Sequence, residues 1–310
     1  MNAKHVLVTG ASGFIGQPLV RALVRSGYAV RAATRSTKSF SSSVDVMLVP
    51  DFTQPVDWQR ILRGIDIVIH LAGHAHADLP DRDYSIFYRV NFMATRELAC
   101  TAARAGVERF LYISSVRAQC GASAKGLLTE LDEPQPTDNY GRSKLAAELA
   151  VRAAGVPFTI LRPVVVYGPG VKGNLKTVVR LSLSPLPLPF GGLQNRRSLL
   201  GIDNLVSAVL FVLNKPEALG QTYLVADTEP VTIPQLFTML RQAQGRPPKI
   251  FYVPPILLHL LLMMSNRTQL WSRLAHGLVV DTTRLRSIGW HPPFETSDGF
   301  HSMFSRDENK

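Results

Sequence analysis

The stretch "HVLVTGASGFIGQPLVRALVRSG", His5 to Gly27, constrains the fold more than any other part of the chain. "HVLVTG" is an apolar run that reads as a buried strand. A turn carrying Gly10, Gly13 and Gly16 follows it, and a helical pattern runs from Phe14 to Ser26. Each glycine has its own task. Gly10 permits a tight turn, Gly13 lets the backbone approach a pyrophosphate, and Gly16 lets the helix pack closely on the strand. Free N–H groups around Ser12, Phe14 and Ile15, aided by the helix dipole, then attract phosphate. A glycine trio alone is a weak signal. Between a strand and a helix, at the head of an alternating chain, it reads as a dinucleotide-binding turn.

The alternation continues. "YAVRAAT", "VDVMLV", "IDIVIHLA", "RFLYISS" and "FTILRPVVVYG" read as strands, with helices near Val56 to Arg63, along Tyr84 to Ala105, and after Asp138. Continuous apolar strands separated by helices argue for a parallel sheet covered on both faces. The fold expected is α/β: a Rossmann-type, doubly wound parallel sheet with a smaller, mostly C-terminal α/β substrate-binding lobe. After Gly168 the rhythm breaks, and "SPLPLPFGG" reads as a loop. Asp203 to Leu213 and Ile233 to Ala243 read as helices, with "QTYLVA" a strand between them. The expected division gives residues 1–168 to the dinucleotide half, with 203–226 returning to it. Residues 169–202 and 227–310 form the substrate lobe, and the end "SRDENK" reads as a frayed tail.

Charge narrows the partners. A net charge of +11 and a pI near 9.9 point to an anionic ligand or surface. No basic run and no nucleic-acid motif occurs, so nucleic acid is not an expected partner. Cys100 and Cys120 have no metal-site spacing and make no disulfide framework, which fits a reducing cytoplasm. No metal is expected, and no signal peptide precedes the first strand. The longest apolar stretch, "VPPILLHLLLMM", falls short of the ~20 residues that span a bilayer. Leu257, Leu260, Leu261 and Met264 share one helical face there. That face reads either as the core of the small lobe or as an approach to a membrane-bound substrate, at the inner face of the membrane.

The second strand ends at Thr34 and Arg35, with no carboxylate to hold an adenine ribose as NAD prefers. Arg35 suits a 2′-phosphate, which tips the choice between NAD and NADP toward NADP. Asp51, after the third strand, is the acid placed to meet the adenosine. Further on, "TDNYGRSKLAAE" sets Tyr140 and Lys144 one turn apart, so one helix face presents both.

"TGASGFIG", "HLAG" (His70 to Gly73), "YRVNFMAT" around Asn91, "YISSV" (Tyr112 to Val116), "YGRSK" and "LRPVVVYGPG" occur in the order of an extended short-chain dehydrogenase/reductase. The chain resembles the NAD-dependent epimerase/dehydratase family, in its UDP-glucose 4-epimerase-like and nucleotide-sugar 4-ketoreductase branch. The resemblance covers nearly the whole chain and weakens after about residue 230.

It implies that Tyr140 is the acid/base beside the substrate hydroxyl and that Lys144 supports it and binds the nicotinamide ribose. Chemistry agrees: a tyrosine with pKa about 10 is a poor base at neutral pH, and a nearby ammonium together with the positive nicotinamide favours its phenolate. Ser115 is the matching serine that holds the substrate oxygen. Strand alternation turns its neighbour Ser114 to the other face. Phe52, Leu71, Ala72, Gly73, Asn91, Ser114 and Pro163 match positions along the cofactor, Asn91 with a structural role as the alternative. For the substrate, the resemblance implies a sugar diphosphate, nucleotide- or lipid-linked, held by His74, Ser115, Asn174 and Arg197. Arginine's fork suits phosphate. Lys172, Lys176 and Arg180 would add a basic rim. Where such relatives carry a second, C-terminal segment that clamps the diphosphate, this chain departs with "IFYVPPILLHLLLMMSNRTQLWSRLAHGLVV", in which Arg267 and Arg273 are the only arginines.

The activity implied is a 4-epimerase that oxidises C4 transiently. The alternatives are an NADPH-dependent 4-ketoreductase, a reductase of steroid-like or flavonoid-like alcohols, and a non-catalytic dinucleotide sensor. The resemblance also implies a homodimer.

Overall fold

The structure, a computed structural model, describes residues 3–36, 40–74, 84–124, 126–171, 173–264, 271 and 277–305. Lys172, Arg267, Arg273, the end of the carboxyl tail and the side chain of Asn174 lie outside what it describes.

The first half alternates as the apolar pattern requires. Its elements are β1 (His5–Thr9), α1 (Gly16–Arg25), β2 (Ala29–Thr34), β3 (Asp45–Leu48), α2 (Trp58–Ile61), β4 (Ile67–His70), α3 (Tyr84–Phe87), α4 (Ala94–Arg104) and β5 (Arg109–Ile113). Next come β6 (Leu127–Leu128), α5 (Asn139–Ala153), β7 (Phe158–Pro163), β8 (Val165–Tyr167) and α6 (Gly173–Ser182). The chain continues through β9 (Arg196–Arg197), β10 (Leu199–Gly201), α7 (Ile202–Leu213), β11 (Gln221–Val225), β12 (Val231–Thr232) and α8 (Ile233–Gln242). It closes with α9 (Pro255–Met264), β13 (Val279–Val280), α10 (Thr283–Ser287) and α11 (Thr296–Ser305).

The main sheet has the order β3-β2-β1-β4-β5-β7-β11, with every pairing parallel. Side chains of a strand alternate between faces. Val6 and Val8 therefore join a core with Leu19 and Leu23 of α1 and Leu205 of α7. Leu7 joins the opposite core with Leu98 of α4 and Ala147 of α5. Strand order reverses between β1 and β4, which opens a crevice at the carboxyl ends of the strands, where ligands of such sheets bind.

Three elements depart from the sequence reading. "FTILRPVVVYG" is two strands. Proline has no N–H to continue a ladder, and past Pro163 the chain leaves the sheet, so that β8 pairs with β10 instead. The long helix expected over Tyr84 to Ala105 contains a π-helical turn, Tyr88–Met93, between α3 and α4. Such turns are insertions found often at functional sites.

The third departure is α9. It is apolar on all sides, yet only Leu258 is buried, while Leu257, Leu260, Leu261 and Met264 are exposed. The reading of that face as core is corrected: the stripe that enters the core is the one holding Leu258. Among the described residues, no helix is long and apolar enough to cross a membrane.

Candidate active site

The glycine turn is tight for reasons that backbone geometry supplies. Gly10 has φ +67°, and a Cβ there would stand 2.9 Å from the amide nitrogen of Ala72. The "HLAG" loop after β4 thus rests directly on the turn. A Cβ on Gly16 would stand 2.2 Å from the carbonyl oxygen of Gly10. Gly13 donates its N–H to the same oxygen at 3.0 Å. At Ile15 no side chain caps α1, and its first turn holds no acid. An uncapped, acid-free helix start behind a glycine cradle suits an anion. At the ends of β2 and β3, Arg35 Nη1 donates to Asp51 Oδ2 at 2.8 Å. The carboxylate absent after β2 therefore stands beside Arg35 all the same. Its pKa is lowered, chiefly by hydrogen bonds from Thr53 and then by Arg35.

His70 ends β4 in full burial. Its Nδ1 meets Thr9 Oγ1 at 2.6 Å and its Nε2 meets Thr95 Oγ1 at 2.8 Å. Thr95 donates its own hydrogen to the Asn91 carbonyl at 2.6 Å. Its oxygen must then accept from Nε2–H, which fixes the neutral tautomer with Nδ1 as acceptor from Thr9. Phe52 and Tyr112 lie stacked near its ring, at 6.4 and 5.6 Å between ring centroids.

Burial, and then Lys144, depress the His70 pKa to about 3. Between about 3 and the ordinary 6.5 the unfolded chain binds the extra proton, so stability rises with pH across that window and is lost as the medium acidifies. The expected slope from this group is about 1.4 kcal/mol per pH unit. Urea midpoints between pH 4 and 6.5, about one unit apart, check it, and His70→Gln should flatten the slope.

The π turn aims Asn91 inward. Its Oδ1 accepts from His74 N at 2.6 Å, and its Nδ2 donates to the His74 carbonyl at 3.0 Å and to Ser143 Oγ at 2.9 Å. A Cβ on Gly73 would press on the same Oδ1 at 3.0 Å. Asn91 therefore braces the loop after β4 against α5, with both amide atoms engaged. The His74 ring meets Phe87 edge-on at 5.3 Å, and Phe87 meets the Tyr140 ring at 6.4 Å. That line of rings links the position expected to touch substrate with the expected acid/base.

α5 begins where the sequence places it. Asp138 caps it, accepting from Gly141 N at 2.6 Å, and Arg117 pairs with the same carboxylate. A Cβ on Gly141 would stand 2.3 Å from the Arg117 carbonyl, so the glycine of "YGRSK" lets α5 seat against the turn after β5. Ser115 opens that turn and accepts from Arg117 N at 3.2 Å, and its hydroxyl meets the Tyr140 phenol. Lys144 is buried one helical turn after Tyr140. Its Nζ donates to the Ile113 carbonyl at 2.7 Å and lies 4.2 Å from the centroid of the Tyr112 ring.

The Tyr140 phenol has a pKa above the ordinary value. Burial raises that pKa, with Ser115 opposing, and the charges that act on the phenol are Asp138 and Arg117. Lys144 is spent on Ile113 and the Tyr112 ring, and burial depresses its own pKa to about 7 while Glu148 opposes. A positive charge bound beside the phenol would have to supply the remainder.

Ser114 turns the other way, as alternation requires, and donates to Glu148 Oε1 at 2.5 Å. Glu148 is gripped by Arg162 through Nε at 2.9 Å and Nη2 at 2.6 Å, and Arg162 also donates to Gln119 at 2.8 Å. Pro163 follows in the ladder with β11. Sequence reasoning missed this charged network behind Lys144. The available signal was the four-residue step from Lys144 to Glu148, which continues the Tyr140–Lys144 face. Arg197 lies on β9, in a two-stranded ladder with β12, and burial lowers its pKa. Asn174 lies in the first turn of α6.

Residues 6–226 match the family described as NAD dependent epimerase/dehydratase. The chain belongs to that family. It is 33% identical, over 308 residues, to the UDP-glucose 4-epimerase of Vibrio cholerae, a match covering 96% of this chain and 93% of that one. It is 24% identical to the N-acetyl-alpha-D-glucosaminyl-diphospho-ditrans,octacis-undecaprenol 4-epimerase of Escherichia coli O157:H7, over 81% of this chain and 75% of that one. Its fold resembles that of UDP-glucuronic acid 4-epimerase from Bacillus cereus, with TM-score 0.79 and 21% identity, covering 97% of this chain and 95% of that one. A nicotinamide dinucleotide, the cofactor of the epimerase/dehydratase family, fits the turn. Side chains at Gly10 and Gly16 would collide with backbone there, and the helix end is left uncapped.

Proposed function

We propose that the protein is a 4-epimerase of a sugar diphosphate, nucleotide-linked or polyprenyl-linked, with Ser115, Tyr140 and Lys144 as its catalytic set. The observation that supports the proposal is that Tyr140, one helical turn before the buried Lys144 on α5, interacts with Ser115, which follows β5 at the carboxyl edge of the sheet that carries the glycine turn. A bound nicotinamide supplies an acceptor and later a donor of hydride. Tyr140 takes the proton of the C4 hydroxyl at its phenolic oxygen, and Ser115 holds the substrate oxygen within reach. Burial keeps the phenol protonated until charge arrives beside it, so the base is armed in the loaded site. The C4 ketone turns over, and Tyr140 gives the proton back to the other epimer. Arg197, half-buried on β9, and Asn174 are assigned to the diphosphate. Residues 1–168 and 203–226 serve the dinucleotide, and the remainder serves the sugar.

We assign NAD to this reading. Arg35, the residue that favours NADP, is already paired with Asp51. A second reading, a 4-ketoreductase using NADPH, rests on that same arginine. Asp51→Ala should raise NADP affinity relative to NAD by about tenfold, the worth of one charge-assisted bond. Titration of the empty variant with each dinucleotide reads it. Two copies are expected to pair through α5, where Leu149 is 58% exposed. The proposal is tested by incubating the purified protein with UDP-galactose, and separately with a polyprenyl-diphosphate sugar, with no dinucleotide added. Conversion of at least one to its C4 epimer supports the reading, and conversion only after NADPH is supplied refutes it.

A further inference from the structure

The small lobe carries an apolar surface whose surroundings say what covers it. α9 has no charged residue. Leu258 and Leu262 face inward, beside Phe190 and Phe237. The opposite arc carries Ile256, Leu257, Leu260 and Met264, with Ile256 75% and Met264 86% exposed. A helix apolar all round is ordinarily buried, in a core or in lipid. This one buries a single stripe.

The surface continues beyond α9. Before the helix, Leu188 donates its N–H to the Lys249 carbonyl at 2.9 Å, Phe251 donates to the Leu188 carbonyl at 3.1 Å, and Gly191 donates to the Phe251 carbonyl at 3.0 Å. Tyr252, on that segment, and Leu186, on the loop beside it, are both exposed. Large apolar side chains exposed together on one surface mark an interaction site.

Charge identifies the partner. The segments Gly168 to Ile202 and Pro230 to Val280 hold ten lysines and arginines and no aspartate or glutamate. Arg241 among them is buried on backbone carbonyls and Arg197 is assigned to the diphosphate, so the exposed ones carry the rim. Lys249 and Arg246 are exposed at the edge of the apolar surface, and Arg246 reaches the Leu183 carbonyl of the neighbouring loop. Basic residues bordering an uncharged apolar helix complement an anionic lipid surface, where headgroups attract the rim and the acyl boundary takes the helix face.

We propose that α9 and the Phe251–Tyr252 segment dock the protein on anionic membranes. The docking deepens the lipid-linked form of the epimerase reading, on which its purpose rests, because it would bring the sugar lobe to a substrate anchored in the bilayer.

The test uses the full chain and sedimentation with two vesicle preparations. One holds equal parts phosphatidylglycerol and phosphatidylcholine, and the other phosphatidylcholine alone. The protein is expected to pellet with the anionic vesicles and stay in solution with the neutral ones. The triple variant Ile256→Gln, Leu260→Gln, Met264→Gln should lose about tenfold or more in partitioning. It should keep the melting temperature and the turnover of a soluble UDP-sugar.

A wild type that never pellets, or a triple variant that pellets as the wild type does, overturns the proposal. So does a triple variant that changes from dimer to monomer in light scattering while the wild type ignores vesicles, since a second copy then covers the face. Vesicle binding without turnover of any sugar diphosphate keeps the docking and discards the epimerase. Turnover without vesicle binding does the reverse.

Discussion

Tyr140→Phe is expected to lower turnover by about 10³-fold, within the usual range for loss of a positioned acid/base. The substitution removes one oxygen and keeps the ring that packs on Phe87. Bound dinucleotide and melting temperature should therefore stay at wild-type levels while turnover collapses. That split separates a chemical role from a structural one. A dinucleotide sensor would keep its output in the same variant. Retention of more than about a tenth of the turnover would remove Tyr140 from the catalytic set.

Arg162→Leu should be the most damaging single substitution for stability. The carboxylate of Glu148 is fully buried, and Arg162, itself only 4% exposed, holds it with two bonds. Without the guanidinium a buried charge is left poorly compensated, at a cost of roughly 3–5 kcal/mol. Against a typical total of about 5–15 kcal/mol, that is a large part of the protein's stability. Replacing both residues, as Glu148→Leu with Arg162→Leu, should cost less than Arg162→Leu alone, because the buried carboxylate leaves together with its guanidinium. Urea denaturation of the three variants checks the order. A double variant less stable than Arg162→Leu would contradict this account of the network. Lys144 should respond too, since Glu148 is the charge that raises its pKa.

The sequence shows most plainly what depends on local spacing. The glycine turn is legible because three backbone approaches each exclude a side chain, and the structure shows two of them as collisions with Ala72 and Gly10. Buried strands announce themselves as apolar runs, so the sheet could be anticipated strand by strand. The Tyr140–Lys144 pair is one helical turn, readable from spacing alone.

What stayed hidden depends on partners distant in the chain. Glu148 and Arg162 lie in different elements, and no pattern announces that a charge is buried against a charge. The π turn at Asn91 arises from what its side chain must reach, His74 and Ser143, which no helical periodicity encodes. The break at Pro163 looked like one long strand because both halves are apolar. The exposed arc of α9 resembled a core stripe, since a helix that is apolar on every side does not reveal which face is inside. The setting of Lys144 was hidden for a related reason: sequence gives its distance along the helix from Tyr140 but not the burial that lowers its pKa.

The central claim is that this site oxidises C4 and restores it without exchanging its cofactor. The most direct measurement is to denature the purified protein and identify any dinucleotide it releases. The account predicts NAD in about one-to-one ratio with the chain, retained through purification, as a recycled cofactor should be. A protein that emerges empty and binds NADPH more tightly than NADH would contradict it, and would give Arg35 the 2′-phosphate as its partner.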